Sequence, residues 1–179
     1  MTHRQTLRWL AFDHHGIVTT EQAAAAGVPA VEVRKLAARG ALTRVGQGVY
    51  RMDEAPMTAL TPYAQALALV GAGAYLADES VLAVHDLALV NPRTIKVATD
   101  RRVRTTLPPT IELVPAKDSS HLEYVDGLPT MPLRDALIAC QGRVMRERLV
   151  EATRIAVARD LLDDQDAAHV LDQLGMARA

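Results

Sequence analysis

GIVTTEQAAAAGVPAVEVRKLAARGALTRVGQGVYRM, residues 16–52, is the stretch that decides the fold. Thr19 or Thr20 can cap a short helix, and Gln22, three residues after Thr19, supplies the reciprocal half of a capping box. The alanines at 23–26 are strong helix formers. Gly27 offers the left-handed residue that ends such a helix. Val28 is expected to plug the turn. Pro29 suits the first position of the next helix, where its missing N–H costs nothing. That helix is predicted to run to Arg39 and to stop at Gly40. Two strands follow, residues 41–45 and 49–52, joined by the tight turn Gly46-Gln47-Gly48. Helix, glycine turn, helix and hairpin in this order predict a winged helix-turn-helix, which offers one helix to the DNA major groove and a hairpin to the backbone.

Periodicity assigns the faces of the second of these helices. Val33, Leu36 and Ala37 recur at helical spacing and are expected to face the core, leaving Val31, Arg34, Lys35 and Ala38 outward. Small side chains permit close approach to a groove. Arg34 can bond guanine edges or phosphates, and Lys35 can pair with phosphate. Arg44, Gln47 and Arg51 are expected on or near the wing. Such a face also suits a domain that only packs against protein, since a solvated Arg-Lys pair occurs on many helices. Charge favours nucleic acid. Residues 1–52 hold seven basic and three acidic residues, a net +4, while the remainder holds thirteen basic and eighteen acidic, a net −5. A positive head on a chain of net charge −1 localises attraction for phosphate to one end. Because +4 is modest, tight binding is expected to need two copies or a long site.

The segment resembles the N-terminal winged helix of the AbiEi-type antitoxins, transcriptional regulators of bacterial toxin–antitoxin operons. The residues that carry the likeness are Gly16, Thr19, Gly27, Val28, Leu36, Arg39, Gly40, Leu42, Gly48, Tyr50 and Arg51. Farther along, YLADESVLAVHDL (75–87) is similar to the helix after the family's first linker. GLPTMPLRDALI (127–138) stands where the family has a short strand and an Arg-Thr-Leu-x-Asp helix start; Leu133-Arg134-Asp135-Ala136-Leu137 occupies that place here. The resemblance implies operator DNA as a partner, repression of the chain's own operon, and a cognate nucleotidyltransferase-like toxin to oppose. No residue constellation marks a catalytic or cofactor site, so neither catalysis nor a cofactor is expected. A stand-alone winged-helix repressor and a protein-docking module without DNA binding are the alternatives.

Outward from the head, DEAPMTALT (53–61) interrupts the periodic pattern and marks a boundary, giving expected domains of 1–55 and 56–179. Thr61-Pro62 opens a helix to Val70, ended by Gly71 and Gly73. Asp78 is expected to cap a helix over 79–87 whose apolar positions Val81, Leu82, Val84 and Leu87, with Leu89 just beyond, form a wide buried stripe. Residues 94–99, 110–114 and 121–125 alternate as strands do. Helical period returns over 133–140, 146–162 and 166–174. The fold class predicted is α+β: a winged helix-turn-helix, then a domain with a small antiparallel sheet and C-terminal helices. Arg101, Arg102 and Arg104 form a second basic patch between two strands. They can clamp phosphate, or serve as a solvated loop or edge-strand guard.

Composition removes several function classes. The chain of 179 residues is 49% apolar but holds only six aromatic residues, Trp9, Phe12 and four tyrosines, so its core must rely on Leu, Val and Ala. A single cysteine, Cys140, excludes an internal disulfide framework and a multi-Cys zinc site, and is expected to pack as a small apolar residue. No apolar run is long enough to span a membrane and no signal-peptide pattern opens the chain, so a cytoplasmic setting is expected. His14 and His15 beside Asp13 read as a helix end. Glu79, His85 and Asp86 lack marked partners for a metal. Asp160, Asp163, Asp164 and Asp166 lack the glycine and distal Glu of a calcium loop and read as a helix N-cap. Gly71-Ala72-Gly73 follows a helix, not a strand, which makes it a poor dinucleotide loop.

Overall fold

The computed structural model describes residues 1–117 and 121–176. The chain folds as two compact units, Met1–Ala72 with Arg101–Leu107, and Gly73–Asp100 with the described residues from Pro108 onward. The first unit is longer than the expected 1–55.

The first unit runs α1 (His3–Asp13), β1 (Ile17–Thr19), α2 (Thr20–Ala25), α3 (Ala30–Ala38), β2 (Leu42–Gly46), β3 (Val49–Met52) and α4 (Thr61–Val70). Helices α1 and α2 both open with a full capping box, Thr2 with Gln5 and Thr19 with Gln22. Each box satisfies two backbone donors that a helix start otherwise leaves unpaired. Gly27 sits at φ +77° and turns the chain into α3. Pro29 stands one position earlier than predicted, as the N-cap in extended conformation, and Arg39 is the C-cap rather than the last helical residue. The proline's fixed φ suits either place. The strands form an antiparallel sheet in the order β1-β3-β2. Leu7, Ala11, Val18, Ala23, Val28, Val33, Leu42, Tyr50 and Met52 form the buried cluster, with Leu36 and Ala37 packed against it. Helix α4 belongs here because its apolar face (Ala64, Leu67, Leu69) is buried and Thr61 Oγ1 donates to the His15 carbonyl at 2.9 Å. Proline and acids at 53–56 break the helical period, but the chain folds straight back.

The second unit contains β4 (Tyr75–Leu76), α5 (Glu79–Val84), β5 (Ile95–Thr99), β6 (Ile111–Pro115), β7 (Glu123–Val125), β8 (Leu128–Thr130), α6 (Leu133–Ala139), α7 (Arg146–Ala158) and α8 (Asp164–Gln173). Its sheet has the order β6-β5-β4-β8-β7. Pairing is antiparallel at β4–β5 and β7–β8 but parallel at β5–β6 and β4–β8, so this sheet is mixed where antiparallel strands were expected throughout. The cause is the connection from Asp100 to Thr110. It is too long for a hairpin and carries the chain back to start β6 alongside the start of β5. Together the two units make an α+β protein with one small antiparallel sheet, one mixed sheet and flanking helices.

Three local expectations are corrected. Helix α5 ends at Val84, with His85 as C-cap, because Asp86, Ala88 and Leu89 adopt positive φ. Leu89 therefore leaves the buried stripe and is exposed. Asp78 stands at the N-cap of α5 but makes no side-chain cap bond; its carboxylate accepts from Arg143 at 2.8 Å instead. The acidic run does cap a helix: Asp163 accepts from the Asp166 backbone N–H at 2.7 Å, while Asp166 also pairs with Arg134. Among the described residues no group of His, Cys, Asp and Glu is arranged to hold a metal ion, and no helix is long and apolar enough to cross a membrane.

Candidate nucleic-acid interface

The site begins with how α3 is held. Val33 is fully buried and Leu36 and Ala37 are half-buried, which fixes the helix's rotation about its axis. The opposite face presents Val31, Arg34, Lys35 and Ala38, all exposed. Arg39 is exposed as well, just past the helix end. No periodicity singles it out, although a basic residue before a terminating glycine is visible in the sequence.

Electrostatics separate these cations. Lys35 Nζ donates to Glu32 Oε1 at 2.8 Å, and that hydrogen bond holds the Glu32 carboxyl below the usual carboxylate range. The pair is exposed, so water and salt compete with it and Lys35 can exchange its partner for a phosphate. Arg34 has no carboxylate within 4.0 Å among the described residues. It is a cation already free of internal obligation. Arg4 and Arg8 on α1 are both drawn to Glu54, and Arg8 also lies over the Phe12 ring at 5.6 Å.

The hairpin is positioned by the same backbone. The Thr20 N–H, at the start of α2, donates to the Gly48 carbonyl at 2.8 Å, tying the turn to the helix pair. A bulge between Arg44 and Gly46 breaks the β2–β3 register just before the turn. Gly46 is also a place of close approach: a Cβ there would stand 2.1 Å from Leu69 of α4. Arg44 and Gln47 are exposed, and Arg44 Nε donates to the Gly46 carbonyl at 3.2 Å. Arg51 is set back from the turn. It lies on the central strand β3 opposite Ile17 and Thr43, half-buried, with Asp53 at 3.7 Å. Arg101, Arg102 and Arg104 lie between β5 and β6, exposed, on the segment that groups with the first unit.

The described titratable groups of the second unit sit in a different setting. Burial, reinforced by Glu79 and Asp78, pushes the Cys140 thiol up to about 12, so it is protonated and inert at neutral pH. Glu79 is subject to an upward push from burial, but hydrogen bonds from Lys96 and Arg143 outweigh it and hold the carboxyl low. A cavity of about 220 Å³ lies among Tyr75, Asp78, Lys117, Met131 and Arg143. Two of its polar side chains are engaged: Tyr75 Oη is bonded to the Lys117 backbone and Asp78 to Arg143.

Residues 5–52 match the family described as "Transcriptional regulator, AbiEi antitoxin". No curated protein matches the chain. Among solved structures, the crystal structure of RV2827C protein from Mycobacterium tuberculosis aligns at 20% identity with a TM-score of 0.48, over 96% of this chain and 76% of that one.

Proposed function

We propose that this chain is a DNA-binding transcriptional regulator whose first unit is a winged helix-turn-helix. In this reading α3 enters the major groove, Arg34 and Lys35 lead the contacts, and Val31 and Ala38 let the helix approach the base edges. Arg44 and Gln47 at the hairpin touch the adjacent backbone. Arg51 contributes after leaving Asp53. The observation that carries this reading is the outward face of α3, with small and basic side chains exposed on one side and Val33 locking the other. The family match over residues 5–52 supports it and extends it. The chain represses its own operon in the cytoplasm and acts as the antitoxin to a nucleotidyltransferase-like toxin, without catalysis or cofactor.

Replacing Arg34 and Lys35 together by Ala is expected to abolish binding to DNA from upstream of the chain's own gene while leaving the thermal melt close to that of the parent. Both side chains are exposed and neither supports the core. An unchanged gel shift refutes the assignment.

A second reading has an observation of its own. Trp9 and Phe12, the chain's single Trp and Phe, are 66% and 46% exposed on α1 beside Met1, Gln5 and Arg8. Such a patch suits docking against protein. Salt separates the two. Phosphate contacts release counterions, so DNA binding weakens steeply as salt rises; docking on apolar side chains hardly changes.

A further inference from the structure

Arg101–Leu107 belongs to the compact unit that carries α3, although the strands it joins belong to the other unit. Its effect on charge is large. Residues 1–72 alone hold seven basic and five acidic residues, a net +2, because Asp53 and Glu54 lie within the unit. The three arginines of 101–107 raise this to +5, and the rest of the chain is left at −6. More than half of the net positive charge of the first unit therefore comes from a segment distant in sequence. Even with the neighbouring Asp100 counted against it, the segment doubles that charge.

Its side chains are suited to one kind of ligand. Arg102 and Arg104 are exposed and have no carboxylate within 4.0 Å among the described residues. Most cations of the helix-and-hairpin region differ: Arg4 and Arg8 are drawn to Glu54, Lys35 to Glu32, and Arg51 to Asp53. Guanidinium groups fork onto two phosphate oxygens at once. Thr105 and Thr106, also exposed, bring hydroxyl donors of the type that DNA-binding proteins direct to phosphates. An edge-strand guard works from the strand it protects. These arginines precede β6 and lie off it, so guarding that edge does not account for them.

We propose that residues 101–107 are a second phosphate-binding element of the DNA-binding unit, with Arg102 and Arg104 pairing with backbone phosphates of the duplex that α3 reads. It rests on the DNA-binding reading above. It gives the segment affinity without base selectivity, because phosphate carries no sequence information.

The test compares the full-length parent, Arg102→Ala/Arg104→Ala, and Arg102→Lys/Arg104→Lys. Binding is measured across a salt series on two duplexes of equal length, one from upstream of the chain's own gene and one of random sequence. Each phosphate contact adds about 0.9 to the slope of log affinity against log salt. The Ala pair is expected to flatten that slope by about 1.8 on both duplexes, to weaken both by the same factor, and to leave the thermal melt unchanged. The Lys pair keeps the charge and is expected to restore the slope. An unchanged slope in the Ala pair, with the parent binding DNA, overturns this proposal alone. A parent that binds neither duplex with a salt-dependent slope overturns the DNA-binding reading as well.

Discussion

Single residues divide into those that face solvent with charge to give and those buried where charge is costly. Arg34 is of the first kind: exposed, with no carboxylate within 4.0 Å among the described residues. His85 is of the second. Its Nε2 is buried without a hydrogen-bond partner among the described residues, and burial lowers its pKa from 6.5. In the unfolded chain the ring takes up its proton near 6.5; in the fold it resists. The unfolded state thus binds more protons as the medium becomes acidic, so stability is full above 6.5 and is lost as pH falls through and below it. Urea melts at about pH 7 and about pH 5 are expected to show a fall in midpoint that is smaller in His85→Gln than in the parent. Equal falls in the two proteins refute the assignment.

At the scale of elements, the α2–turn–α3 unit depends on local chemistry. Thr19 Oγ1 accepts from the Gln22 N–H at 3.1 Å while Gln22 Oε1 accepts from the Thr19 N–H at 2.9 Å. Thr19→Ala removes the acceptor and is expected to cost about 1 kcal/mol in a urea melt, with Thr19→Ser close to the parent. A neutral Thr19→Ala means the box does not support the helix start. Because a capping box spans four consecutive residues, it is legible in the sequence, and so are Val28, Val33 and the tight turn at 46–48. The direction of β6 is not. The pattern of residues 110–114 reveals a strand, but parallel or antiparallel pairing depends on the path of the connection, which that pattern does not encode. Helix α5 ends early for a similar reason: its apolar period continues through Leu87 while the backbone has already left the helix at Asp86.

Across the whole molecule, contacts between residues distant in sequence decide which groups act together. In the second unit the Arg143 guanidinium reaches Asp78 at 2.8 Å and Glu79 at 2.7 Å, and Lys96 meets Glu79 at 2.8 Å. Arg143 is 44% exposed, so the stabilisation is discounted for screening. Arg143→Ala is expected to lower stability by about 1–2 kcal/mol in a thermal or urea melt. Arg143→Lys should recover only part, because a single ammonium nitrogen lacks the planar fork whose separate Nε and Nη2 donors reach Glu79 and Asp78. A melt unchanged by Arg143→Ala means the cluster is incidental. The same scale governs charge: cutting the sequence at residue 52 gives a head of +4, whereas the folded unit carries +5, with a different set of residues.

The sequence by itself determined the capped start of α2, the glycine turn, the hairpin, the outward face of α3 and the likeness over the head, because each depends on neighbours within a few residues. Tertiary structure alone decided that α4 joins the first unit, that the second sheet is mixed, and that 101–107 groups with the positive head. Those outcomes depend on where the chain returns after a long connection. Closing such a loop is governed by the packing available at its ends, and a local pattern of apolar and polar residues carries no record of it.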